Sequence, residues 1–157
     1  MDDCLGEFHY AGFMLDYARK RAIEVLGIPR KAVLATSGPA GLQAGEFPCE
    51  AAGLDLFLLV PNTSDHLFNL EHDSTVTLIT TGWELNGEAQ VVSPETLDLE
   101  PELLREPGAE WCRLVRVCPY RIQIRREQGW GYLETLELKT QLAESPRPIN
   151  AKSRRTG

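Results

Sequence analysis

The sequence has no run approaching the ~18 apolar residues of a membrane-spanning helix, so a helical membrane protein is not expected. Its opening residues, MDDCLGEFHY, are acidic and lack the basic segment and apolar run of a signal peptide. The expected location is therefore cytoplasmic. Cysteine is sparse: Cys4, Cys49, Cys112 and Cys118 form no C-x-x-C pair, and His9, His66 and His72 are scattered. No zinc spacing results, and no metal is expected. Cys112 and Cys118 lie in one strand-like run, too far apart to bond to each other. The thiols are expected to be reduced and mostly buried. The glycine turn GPAGLQAG lacks the Lys and Ser/Thr of a phosphate-binding P-loop, and Ser37 does not sit in a nucleophile elbow. No nucleophile and base can be paired from the sequence.

The 157 residues (17.5 kDa) carry a net charge of -7, with 43% apolar and 25% charged residues. That is the size and composition of one globular domain. The charge is uneven. Arg147, Lys152, Arg154 and Arg155 against Glu144 give residues 140–157 a net +3, which leaves -10 on residues 1–139. The expected boundaries are one domain over residues 1–139 and a flexible basic tail over 140–157. The acidic domain would repel phosphate backbones and shows no aromatic–basic interleaving, so no nucleic-acid partner is expected.

Phe8, Ala11, Leu15, Ala18, Ala22 and Leu26 recur at helical spacing, which predicts a helix over 8–26 stopped by Gly27 and Pro29. Residues 32–36 read as a strand, 37–41 as a glycine turn and 42–48 as the hairpin partner. The run LDLFLLV over 54–60 reads as a strand buried on both faces. Ser64 or Thr63 caps a short helix over 65–71, with Leu67, Phe68 and Leu70 turned inward. Residues 75–80 and 83–92 read as strands, the second with Leu85, Gly87, Ala89 and Val91 on one side. A short helix is expected over 97–104. In the sheet segment 111–126 the even positions from Cys112 to Ile124 share an apolar face. Arg116 interrupts that face, and Pro119 calls for a bend or bulge. After the turn Gly129-Trp130-Gly131, residues 132–138 form the last strand. Helices do not alternate with strands, so the expected fold is mainly β with peripheral helices, a mostly antiparallel barrel.

Taken in order, the AVLAT strand with its glycine turn, the apolar strand running into a Ser-capped helix, the GWELNGEA segment and the strand–proline–strand VRVCPYRIQI are distinctive. Together they resemble the pyridoxamine 5'-phosphate oxidase-like split-barrel family over most of residues 30–126. The resemblance implies a split β-barrel, a homodimer, and FMN with a small-molecule ligand at the subunit interface. Some members take haem or deazaflavin instead. The implied function is that of an FMN-binding oxidoreductase of unread substrate. The alternative is a cofactor-free binding or structural protein on the same dimeric scaffold. The apolar strands 54–60 and 75–80 also offer more apolar surface than a small barrel covers, which favours a dimer.

Family members follow a threonine-rich turn with Ser-Arg-Lys at the FMN phosphate. The matching residues here are Ser64, Asp65 and His66. Val60 falls at the family threonine. Gln43, Glu46 and Glu50 occupy the strand that often offers an arginine, and Glu88 falls near a family glutamine. Acids thus stand where a dianionic phosphate wants neutral or basic groups. In the flavin reading Arg116 or Arg121 supplies the missing charge, with Arg113, Arg30 and Lys31 as further sources. Trp83 and Trp130 then sit near the ring, Trp130 with Arg126 on the substrate side. In the plain reading Trp83 is core or interface, Trp130 a turn residue and His66 a solvent-facing helix residue. Arg116 is then half of a buried ion pair with Glu46 or Glu88.

Overall fold

The computed structural model describes residues 13–138. The basic tail and the first residues of the expected N-terminal helix lie outside them. The order is α1 (Phe13–Leu26), β1 (Lys31–Thr36), β2 (Gln43–Ala52), β3 (Asp55–Pro61), α2 (Asp65–His72), β4 (Thr75–Ile79), β5 (Trp83–Val92), β6 (Cys112–Arg125) and β7 (Tyr132–Glu137). The strands line up β3-β2-β1-β4-β5-β6-β7, all antiparallel, and β3 also pairs with β6. That last pairing closes β1–β6 into a six-stranded barrel. The long β6 makes the split. Its first half pairs with β3 and its second half with β7, while β5 runs along both.

Period-two alternation builds the interior. Ala32 and Leu34 from β1, Leu56, Leu58 and Val60 from β3, Val76 and Leu78 from β4, and Trp83 and Leu85 from β5 join one buried cluster, which Ala22 and Leu26 of α1 enter. β3 is buried on both faces as expected, and the cover comes from the chain itself. Its outer residues Phe57 and Leu59 pack with Leu103 and Leu114 in a second cluster, flanked by Leu97, Leu104 and Ala109. The apolar excess of β3 is thus not left for a second subunit, and that ground for expecting a dimer falls away.

The segment between β5 and β6 corrects a second expectation. In place of a helix over 97–104 it forms three 3₁₀ turns, Pro94–Thr96, Glu102–Arg105 and Ala109–Trp111. Pro101 lies inside the expected helix, where it lacks the amide and clashes with the preceding turn. The Leu103 amide instead donates to Glu50 Oε1 of β2 at 2.9 Å, which ties the segment to the barrel.

β6 also departs from a single alternation. Asn86 pairs with Arg121 but Gly87 pairs with Pro119, so Tyr120 is an extra residue, a β-bulge. Before it, Val115 and Val117 face the core; after it, Ile122 and Ile124 do. The even positions therefore do not share one face along the whole strand. Gly87 is what permits the bulge. A Cβ there would lie 2.5 Å from the Cys118 carbonyl oxygen and 2.9 Å from Pro119 Cα.

Candidate functional site

The start of α2 is built by Ser64, whose Oγ accepts the His66 amide at 3.1 Å. The cap thus uses an amide that an incoming phosphate would otherwise take. The inward face of α2 is polar: His66, Asn69 and Leu70 are buried, while Phe68 is 46% exposed. Of the expected inward set, Leu70 is buried in the core and Leu67 packs against it, and only Phe68 is corrected. His66 does not face solvent either. Its Nδ1 lies 2.8 Å from Thr36 Oγ1, and its ring packs edge-on against Phe47 at a centroid distance of 5.3 Å.

Asn69 closes this buried network. Its Nδ2 donates to Thr36 Oγ1 at 3.1 Å and to the Gly41 carbonyl at 2.9 Å, and its Oδ1 accepts the Ala40 amide at 2.9 Å. When Thr36 Oγ1 accepts from Asn69 it donates to Nδ1, which is the arrangement of a neutral imidazole with its proton on Nε2. Burial pushes the His66 pKa down, with the neighbouring Asp65 carboxylate opposing the shift. The network pins the β1–β2 turn to α2. A Cβ on Gly38 would meet Asn69 Oδ1 at 2.8 Å, which explains a glycine in that turn.

The fit to a flavin phosphate is poor here. Asp65 follows the cap with an acid, and the His66 ring is turned inward and neutral. Like charges a few ångströms apart repel by roughly 1–4 kcal/mol, depending on screening. The residues at this corner do not fit a dianionic phosphate.

The other sequence-selected residues lie apart from it. Trp83 is fully buried in the barrel core, with its indole Nε1 making no hydrogen bond. Trp130 is 95% exposed in the β6–β7 turn. Arg121 pairs with Glu137 of β7, Nε to Oε2 at 3.2 Å. Arg116 sits opposite Phe57, not on the core-facing side of β6. Its Nη2 is 2.9 Å from Asp55 Oδ2, an acid only 1% exposed, so its partner is Asp55 and neither Glu46 nor Glu88. The structure thus keeps Ser64, Asp65 and His66 together and leaves Trp83, Arg116, Arg121 and Trp130 at four other places.

Two concavities are lined by the described residues. The first, about 600 Å³, lies between α2 and the β5–β6 pair. Leu67, Leu70, Ala89 and Val91 give it apolar walls, and Glu71, Glu88, Gln90 and Tyr120 supply polar groups. This is within the range of small-molecule sites. The second, about 530 Å³ and more open, lies on the outer face of β1 and β4 among Lys31, Val33, Glu46, Ile79, Thr80 and Arg125. Arg125 is held there by Glu84, Nη2 to Oε1 at 3.5 Å, and the same oxygen accepts the Tyr132 hydroxyl at 2.9 Å.

Sequence reasoning missed Thr36, Asn69, Glu71 and Tyr120. Asn69 is three residues from His66, a helical spacing that could have paired them. Tyr120 carries no such signal, since only the bulge decides where it points. Among the described residues no cluster of His, Cys, Asp and Glu is arranged for a metal. Cys49 and Cys112 are free thiols, and burial pushes Cys49 up to about 11. Cys118 is disulfide-bonded, which corrects the expectation of reduced thiols at that position.

No family model and no curated protein matches the sequence. Solved structures do match the fold. General stress protein 26 of Bacillus anthracis is similar at 16% identity over 77% of this chain and 100% of that one, with a TM-score of 0.55. A protein related to general stress protein 26, of the pyridoxinephosphate oxidase family, from Clostridium acetobutylicum is similar at 14% identity, over 79% and 94% of the two chains, with a TM-score of 0.54. A nimC/nimA family protein from the same organism is similar at 18% identity, over 84% and 100%, with a TM-score of 0.57. The chain therefore has the split-barrel fold of the pyridoxamine 5'-phosphate oxidase-like proteins.

Proposed function

We propose that this chain is a small-molecule-binding protein on a homodimeric split-barrel scaffold, and that its ligand site is the cavity between α2 and the β5–β6 pair. One observation carries the choice over a flavoenzyme. The corner at Ser64 holds an acid at Asp65 and an inward, neutral His66, which suits no phosphate. The cavity beside it has apolar walls and convergent polar groups, which suits a small organic ligand. Val33 and Ile79 leave an apolar strip half exposed on the outer face of β1 and β4, and this supports pairing of two copies there.

A second reading rests on a separate observation. Lys31, Arg125, Thr80 and Thr81 line the outer concavity together with Glu46, and the two cations and two hydroxyls outweigh that one acid as a donor set for an FMN phosphate away from α2. FMN bound there would supply electron-transfer chemistry, and the protein's part would be to bind and orient it. A visible absorption spectrum of freshly purified protein, followed by FMN titration, separates the readings. A colourless protein that ignores FMN supports the first. A yellow protein supports the second, and Lys31→Ala should then weaken FMN binding while Ser64→Ala should not.

A further inference from the structure

The inward row of β6 begins with a charge. Arg113 pairs with Val60 of β3, and Val115 and Val117 follow it at alternate positions, so all three point to the core side of the sheet. Val91 and Ala89 of β5 pair with Val115 and Val117 and share that side, whereas Glu88 pairs with Cys118 on the other. Arg113 thus stands one step beyond the last buried valine of β6, exposed at the end of the barrel, where it lines the cavity with Ala89 and Val91. Arg116, Arg121 and Arg125 of the same strand are each held by an acid, Asp55, Glu137 and Glu84. Among the described residues no acid pairs with Arg113. α2 crosses the cavity from this end to the other. The Asn62 amide donates to the Trp111 carbonyl at 2.8 Å, so the chain enters α2 from beside Arg113. At the far end the Ala89 amide donates to the Ser74 carbonyl at 2.8 Å. The eight residues of α2 span about 12 Å. The stretch of β5 from Ala89 to the level of Arg113 spans roughly 13 Å, a matching length. The acids of the lining lie toward the far end, Glu71 in the last turn of α2 and Glu88 at the level of Cys118. Along β6 Cys118 is roughly 16 Å from Arg113, about two screening lengths at physiological salt. Asp65 is not among the described residues of this lining.

We infer that this cavity binds a small monocarboxylate with an apolar body, an alkyl- or aryl-carboxylic acid. Its carboxylate takes the Arg113 guanidinium, whose planar fork of donors matches two oxygens. Its hydrocarbon runs along Val91 and Ala89 on one side and Leu67 and Leu70 of α2 on the other. A carboxylate carries one negative charge, which a single arginine balances, whereas a phosphate dianion asks for more. The inference rests on the small-molecule reading above and adds the ligand's charge and its direction in the cavity. It requires no covalent step.

The test is calorimetric titration of the full chain, without reductant so that the Cys118 disulfide is kept, with three probes of one shape. These are 4-phenylbutyrate, 4-phenylbutan-1-ol and 4-phenylbutylamine. The acid should bind about ten-fold more tightly than the alcohol, and the amine more weakly than both. Arg113→Gln should bring the acid down to the level of the alcohol and leave the alcohol unchanged. Arg113→Lys, which keeps the charge, should keep the acid ahead of the alcohol. Arg121→Gln, whose arginine is paired with Glu137 outside the cavity, should change neither. Circular dichroism melts of the variants establish that they are folded. Equal binding of acid and alcohol, a preference for the amine, or an acid preference that survives Arg113→Gln would overturn the inference and leave the small-molecule reading standing. If none of the three binds folded protein at millimolar concentration, the small-molecule reading falls with it.

Discussion

Single residues set the corners of this barrel, and two of them make direct predictions. Gly87 faces the Cys118 carbonyl so closely that any Cβ must displace backbone. Gly87→Ala should cost about 2 kcal/mol or more in chemical denaturation, within the range of overpacking. His66 gives the second. Burial lowers its folded pKa below the ordinary 6.5, so the unfolded chain binds the proton more readily. Its contribution is complete above the unfolded pKa and is lost as pH falls from about 6.5 toward the folded value. Melting temperature should therefore drop over that window. His66→Gln should flatten the drop, at the cost of a lower melting temperature at pH 8. The residue scale was also the hardest to read from sequence. The cap at Ser64 was legible because the cap residue precedes an apolar run. The burial of His66 and Asn69 was not, since their partners Thr36, Ala40 and Gly41 lie 28 to 33 residues away along the chain.

At the scale of elements, strand identity was legible and strand facing only in part. β1, β3, β4 and β5 follow period-two or continuous apolar patterns that belong to no other element. β6 misled because one extra residue inverts which side faces the core, and no periodicity measure anticipates an insertion in the partner's register. That inversion moved Arg116 from a supposed core face to the outer layer, where Asp55 holds it. The crossover 93–111 misled for another reason. Its leucines suggest a helix, while its prolines allow only short 3₁₀ turns laid over Phe57 and Leu59. Leu103 anchors that layer. Leu103→Ala should destabilise the protein by about 2–3 kcal/mol. It should also open residues 93–111 to limited proteolysis before the barrel itself is cut. Cleavage first within β3 or β6 would mean that the crossover is not a separate layer.

For the whole molecule, fold and function separate. Strand order pointed to a mostly antiparallel barrel and the family resemblance to a split barrel, and the β3–β6 pairing closes it. The ligand was not legible, since folds of this kind host different chemistry at residues that sequence pattern does not constrain. The proposed pairing predicts twice the chain mass by light scattering at micromolar concentration. It also predicts that Ile79→Asp, on the half-exposed strip of β4, shifts the protein to monomer without unfolding it. Whether a flavin phosphate sits at the start of α2 turns on Asp65 and His66. The most direct measurement is FMN titration of the purified protein, followed by flavin fluorescence and visible absorbance together. The account predicts no saturable quenching and no bound-flavin spectrum at micromolar FMN. A stoichiometric yellow complex that weakens on Ser64→Ala would contradict it, because the phosphate would then sit at the corner argued here to repel it.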